Sequence, residues 1–501
     1  MAHKKVIIIG AGISGMSAGC YLQMNGYDTE IFEMWKLPGG VCTAWQRKGY
    51  TFDGCIHWLV GSSPASSFNK VWRELHAIQG REWIEFDEYR RVELKNGKIV
   101  TFYTDVAKLE AELLKIAPED KKRITALGNT IRKLSKVDLF MDKPMELFNI
   151  VDYAKAGVTM FPFMKAMKEW GKLSLKEYID GFANSYIREA FEKAFGIDEN
   201  FPAAGIIMML TVMNIRSAGY PIGGSLEFAK AIEKRYLELG GKINYNSRVE
   251  KILVENDKAV GIRLVNGSEF RSDVVISAAD GHFTIFKALE GKYIDEEIKN
   301  HYENHPLFQR TLQVSLGIAR DFTDQPHSFT FSLEKTIDTG NKTPIKDLTF
   351  RFYNFDPTMA PAGKTAAVAL IPTEYEYWEN LKSKNPEKYD SEKKRIADEI
   401  IDALEKKFGD IKEKIEVVDV ATPTTYVDYT NNWKGSWEGW IPTKETMGKN
   451  LKKTLPGLDN FYMIGQWVDI GGGLPPAGAA GRNIARMLCK KDGKKFSSFE
   501  S

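Results

Sequence analysis

The opening residues constrain the fold most strongly. Residues 4–9 form a short apolar, β-branched run that meets Gly10-Ala11-Gly12-Ile13-Ser14-Gly15, after which residues 16–25 carry helical patterning up to Gly26. A second strand pattern over residues 27–32 closes on Glu33, near the ~20-residue spacing from the first glycine that a ribose-binding acid takes. Gly10 permits the tight turn, Gly12 lets backbone approach a pyrophosphate, and Gly15 lets the helix pack on the strand. The helix start, with Ile13 and Ser14 in its first turn, then points its positive end at the phosphates. In a chain with 42 glycines such a turn arises by chance. Strand before, helix after and an acid closing the second strand make it a dinucleotide site.

Other function classes are excluded by composition. Lys and Arg (69) balance Asp and Glu (67) to a net charge of +2, which is no footprint for nucleic acid. Cys20, Cys42, Cys55 and Cys489 form no CxxC pair, and the seven histidines show no HExxH or other ligand spacing, so neither a disulfide framework nor a metal site is expected. A reducing compartment, the cytoplasm, fits this usage. No apolar run reaches the ~20 residues a spanning helix needs, and the best one, residues 203–213, stops short. Attachment to a membrane surface stays open.

Just past Glu33, Lys36-Leu37-Pro38-Gly39-Gly40-Val41-Cys42-Thr43 adds a second glycine pair where a plain nicotinamide domain would continue into a helix. Glu33 followed by Gly39-Gly40 resembles the extended FAD fingerprint of the glutathione-reductase-like flavoproteins. Two later stretches resemble returns to the same domain. One is Tyr220-Pro221-Ile222-Gly223-Gly224-Ser225 with a helix to Glu238, followed by strands around Val249 and a hairpin at Asn266-Gly267. The other is Gly465-Gln466, the run Gly471-Gly472-Gly473-Leu474-Pro475-Pro476 and a helix over residues 477–489. With Tyr50-Thr51-Phe52-Asp53-Gly54 and Ala421-Thr422-Pro423-Thr424-Thr425, these motifs resemble the phytoene desaturase, carotenoid isomerase and retinol saturase family.

That resemblance implies an α/β fold: a split Rossmann-like FAD-binding domain (residues 1–64, 217–283 and 455–490) and a mixed-sheet plus helical substrate domain (65–216 and 284–454). It implies FAD held by Gly10, Gly12, Ile13, Ser14, Gly15, Glu33, Gly39, Gly40, Val41, Val249, Gly465, Gln466, Gly473 and Leu474. Gln466 stands where many relatives carry an acid, and Val41 where many carry an arginine. The implied chemistry is hydride exchange between flavin N5 and carbon-carbon bonds of a long apolar molecule, as desaturase, saturase or isomerase. The electron partner is then a quinone, oxygen or another carrier, since no second GxGxxG has strand and helix context. A flavin amine oxidase and a non-catalytic prenyl-protein chaperone share the architecture and stand as alternatives.

Such chemistry needs placement and exclusion of water more than conspicuous catalytic groups. His57 is a candidate proton donor or substrate contact, or a histidine bonded for structure, and Trp58 beside it is a candidate substrate contact. Asp469 is a second catalytic candidate, or a turn residue. Arg216 and Tyr220 are candidates to hold a polar substrate head. Residues 65–198 read as largely helical and 307–373 as strands. Phe161, Phe163, Met164, Met167 and Trp170, with residues 207–213, read as a tunnel lining, a membrane-facing surface with Lys165, Lys168 and Lys172 at headgroups, or an ordinary helical core.

Overall fold

The computed structural model describes residues 3–138, 140, 142–196, 198 and 200–498. Its first layer is a five-stranded parallel sheet in the order Lys242–Asn244, Asp28–Phe32, Lys5–Ile9, Val274–Ser277, Phe461–Met463. The central strand Lys5–Ile9 is apolar on both sides, as a strand buried between two layers must be. Val6 and Ile8 enter the core beneath the helices Ile13–Met24, Gly224–Glu238 and Leu474–Lys491. Ile7 and Ile9 enter a second core under the antiparallel sheet Val249–Glu255, Lys258–Leu264, Glu269–Arg271.

The second body is built on a seven-stranded sheet in the order Ile415–Ala421, Thr311–Ile318, Thr365–Pro372, Ile345–Phe352, Ser328–Ile337, Glu88–Glu93, Ile99–Tyr103. All its pairs are antiparallel except the one joining Ser328–Ile337 to Glu88–Glu93. Helices Tyr375–Lys384 and Pro386–Phe408 cover one face, burying Trp378, Ile396 and Ile400 against Leu316 and Phe350. A helical layer from Val106–Ile116 to Ala203–Asn214 has its own core around Phe102, Phe191 and Ile207.

Residues 65–198 are largely helical and also hold the hairpin Glu88–Glu93/Ile99–Tyr103, which buries Val92, Val100 and Phe102. Its first strand is short and mostly charged, so the flanking helical pattern masks it. The last helix begins at Leu474, three residues early, since Pro475 and Pro476 fit a first turn whose N–H groups have no partner in any case. Phe161 and Met164 face outward, while Trp170 is buried in the helical core with Phe163 and Met167 packed against it, so none of these lines an internal tunnel.

One buried ion pair ties three of these segments together. Arg482 Nε on the last helix meets Glu74 Oε2 at 2.9 Å, both side chains almost wholly buried, and Tyr21 of the first helix donates its hydroxyl to the same oxygen at 2.6 Å. Removing one partner of such a pair costs about 3–5 kcal/mol because the other stays buried and uncompensated. Arg482→Met is expected to lose that much in denaturant unfolding, and Glu74→Leu/Arg482→Met to recover a large part of it. Additive losses in the double variant would mean the pair is not coupled.

Candidate functional site

The two bodies enclose a cavity of about 2040 Å³. At its first end the chain leaves strand Lys5–Ile9 through Gly10 at φ +97°, a conformation that disfavours side chains. A Cβ on Gly15 would fall on the Gly10 carbonyl oxygen, so this turn closes only between two glycines. Gly12 begins helix Ile13–Met24 with no side-chain cap, leaving the first-turn amides to the cavity. The Gly39 amide donates to the Ala11 carbonyl at 2.8 Å, which sets the second glycine pair beside the first. Glu33 accepts from the amides of Ala11 (2.7 Å) and Trp35 (2.8 Å). Two carboxylate lone-pair positions then remain for ligand hydroxyls. Burial raises the Glu33 pKa against the lowering pull of those amides.

At the other end Gly465, Gln466, the glycine run and Leu474 line the same space. Gly473, at φ +88°, caps helix Leu474–Lys491 without a side-chain bond. Pro475 and Pro476 have no N–H, so the free donors at this helix end reduce to Gly473 and Leu474. The Gln466 amide is engaged with Asn432 Oδ1 at 3.3 Å. These features fit an FAD: two uncapped helix starts for its anionic and electron-rich parts, a glycine cradle that side chains would fill, and an acid with spare acceptors for a ribose.

Of the residues singled out in sequence, Gly10, Gly12, Ile13, Ser14, Glu33, Gly39, Gly40, Val41, Val249, Gly465, Gln466, Gly473 and Leu474 all line the cavity, together with His57 and Trp58. Gly15 lies behind the turn, as a packing residue. Burial, and then the nearby Arg351, Arg90 and His327, hold the His57 pKa well below the usual value, which favours the neutral imidazole. Asp469 lies outside the cavity, near the Asn450 amide at 3.3 Å, with burial raising its pKa to about 6. Arg216 is half-exposed and paired with Asp87 at 2.7 Å, away from the cavity. Tyr220 is fully buried against Phe355 and outside the lining, its hydroxyl without a hydrogen-bond partner among the described residues.

Two carboxyls that sequence reasoning missed do face the cavity. Asp280, following strand Val274–Ser277, accepts from the amides of Phe283 (2.7 Å) and Trp433 (2.8 Å), and burial raises it to about 7. Glu438 has no hydrogen bond or ion pair among the described residues, and a Cβ on Gly473 would stand 3.0 Å from its Oε1. Its side chain is partly accessible from the cavity yet deep in the molecule, and burial pushes it up to about 8. The folded state holds the Glu438 proton more tightly than the unfolded chain. Its contribution is thus fully present below about pH 4.5 and lost as pH rises towards 8. The Tm of Glu438→Gln relative to wild type is expected to climb across that window and level off above it; a flat difference would refute a buried, unpaired Glu438.

The family model for flavin-containing amine oxidoreductases matches residues 13–489. The chain is 26% identical over 488 residues to a chloroplastic prolycopene isomerase of Daucus carota, covering 92% of this chain and 75% of that one. It is 24% identical over 523 residues to a 4,4'-diapophytoene desaturase of Methylomonas sp, covering 98% and 96%. Among solved structures, an oxidoreductase from Methanosarcina mazei shares the fold with a TM-score of 0.61 at 16% identity, over 96% of this chain and all of that one. A match that starts in the first glycine turn and runs into the last helix means that the chain belongs to the flavin-containing amine oxidoreductase family and is an FAD-dependent oxidoreductase.

Proposed function

We propose that this protein acts on carbon-carbon bonds of a long apolar substrate, as desaturase, saturase or isomerase. The observation that carries this reading is the size and lining of the cavity. At about 2040 Å³ it is roughly twice the ~1,000 Å³ upper range of a pocket for one small ligand, so it takes a second, extended molecule beside the cofactor. Apolar residues in its lining include Ile56, Leu59, Ile206, Met209 and Leu370. When bound, FAD supplies a hydride acceptor or donor at N5. The glycine turns hold it, the apolar lining orients the chain of the substrate and keeps water out, and Glu438 is placed to hold or move a proton beside Gly473. The relatives named for prolycopene and diapophytoene chemistry support the same substrate class.

The domain division follows this reading, with residues 1–64, 217–283 and 455–490 holding the cofactor and 65–216 and 284–454 the substrate. We further infer that substrate arrives from a membrane surface. No helix among the described residues is long and apolar enough to cross a membrane. Helix Ile150–Trp170 nevertheless exposes Ile150, Val158, Phe161 and Met164 on one side, with Lys155, Lys165 and Lys168 exposed alongside. It packs on helix Ala203–Asn214, whose Ile206 and Met209 line the cavity. A quinone in the same membrane suits the electron exchange.

Anaerobically reduced holoprotein, or oxidised holoprotein if the chemistry runs the other way, is expected to change its flavin absorbance on addition of carotenoids, retinoids or unsaturated lipids, with products visible by mass spectrometry. Hydrogen peroxide release with amines, and silence with lipids, would move the assignment to an amine oxidase. Co-sedimentation with anionic vesicles is expected for the wild type and lost in Phe161→Glu/Met164→Glu; equal sedimentation of the two would remove the membrane face.

A further inference from the structure

One wall of the cavity carries positive charge that the protein does not neutralise. Strand Glu88–Glu93 runs parallel to Ser328–Ile337 with Arg91 opposite Phe329, and Ser328 lies opposite Arg351 of the next strand. Arg90, Ser328 and Arg351 therefore form a row across three strands on one face, the outer two about 10 Å apart at a strand spacing of ~4.8 Å. All three line the cavity. Arg90 reaches Ser328 between them, and Arg351 reaches the His57 carbonyl.

Arg351 is only 6% exposed. Its Nη1 donates to the His57 carbonyl at 3.3 Å, and its remaining N–H groups have no partner among the described residues. Arg90 donates to Ser328 Oγ (3.2 Å) and to the Ala194 carbonyl (2.7 Å), with its guanidinium 5.1 Å from the centre of the Tyr89 ring. Neither has a carboxylate within 4 Å among the described residues, whereas their neighbours do. Lys193 in the same wall meets Glu189 at 2.9 Å and Asp347 at 3.4 Å, and Arg91 meets Glu88 at 2.8 Å. A guanidinium does not shed its proton to escape burial, so two of them side by side without an anion are costly. The local potential is felt by His57 and His327, whose pKa values burial and then these arginines hold well below normal.

We propose that Arg90 and Arg351 bind the anionic head, a carboxylate, of the apolar substrate. This deepens the apolar-substrate reading above and rests on it. Guanidinium forks match a carboxylate through paired N–H bonds. The singly charged group is favoured over a phosphate because each further charge taken out of water into this wall adds its own desolvation cost. Ile206 and Met209, in the same lining, take the first part of the chain. The substrate class thereby narrows from long apolar molecules in general to those that end in a carboxylate, unsaturated fatty acids or polyene acids.

Parinaric acid, a fluorescent polyene acid, and its methyl ester test this on the flavin-loaded protein without requiring turnover. The acid is expected to bind at least about tenfold more tightly than the ester, the range of a charge-assisted hydrogen-bond pair. Arg351→Gln and Arg90→Gln should each erase most of that preference while leaving ester binding and flavin absorbance intact, and Arg351→Lys should retain part of it. Equal binding of acid and ester, or a loss in Arg351→Gln that affects both alike, overturns the carboxylate site and leaves the apolar-substrate reading standing. Failure of both probes to bind overturns both. Displacement of the acid by geranylgeranyl diphosphate but not by oleate would give the arginines to a phosphate and overturn the carboxylate assignment.

Discussion

The close packing of helix Ile13–Met24 on helix Leu474–Lys491 is the constraint on which the cavity depends. Gly481 lies directly against the backbone of Ser17 and Ala18, where any side chain would collide, and Ser17 donates its hydroxyl to the Gly478 carbonyl at 2.6 Å. Two elements from opposite ends of the chain thus come to backbone contact, and their uncapped starts at Gly12 and Gly473 open into the same space. Each contributes about half a positive charge from its aligned peptide dipoles. A ligand that is both long and electron-rich at separated points is what such a pair of ends can hold, and a change that spread the helices would disconnect the two halves of the site.

The cavity lining holds both unpaired carboxyls and unpaired guanidiniums. Glu33 beside the first glycine turn, Glu438 beside Gly473, and Asp280 have no cation within ion-pair reach among the described residues, and burial raises the pKa of each. Arg90 and Arg351 stand in the sheet wall with no carboxylate within 4 Å among the described residues. Protein interiors rarely leave charge and proton affinity unbalanced in this way except where a ligand completes the arrangement.

Long-range joins decide how the local motifs act. Asp53 and Ser225 belong to two motifs visible in sequence, Phe52-Asp53-Gly54 and Pro221-Ile222-Gly223-Gly224-Ser225, both among those that carry the family resemblance. In the fold Asp53 is buried and accepts from the Ser225 amide (2.8 Å) and hydroxyl (2.5 Å), so the pair fastens one turn to the other without touching the cavity. Tyr220 is the same lesson in reverse: it borders a motif of the site, but its ring packs on Phe355 and Tyr353 away from it. Position beside a motif is a statement about backbone, and side-chain direction follows from packing that the local sequence does not record.

The amino-acid sequence by itself determined the glycine turns, the acid closing the second strand, the family likeness and the cofactor, because a strand, a turn and a helix start interact over a few neighbouring residues and leave a spacing that can be read. Tertiary structure alone decided that Glu438 stands beside Gly473, that Asp469, Arg216 and Tyr220 turn away, and that Arg90 and Arg351 share a wall. Those arrangements join strands and helices far apart in the chain. Their signal lies in cross-strand register and burial, which set charge, proton affinity and direction only once the sheets have formed.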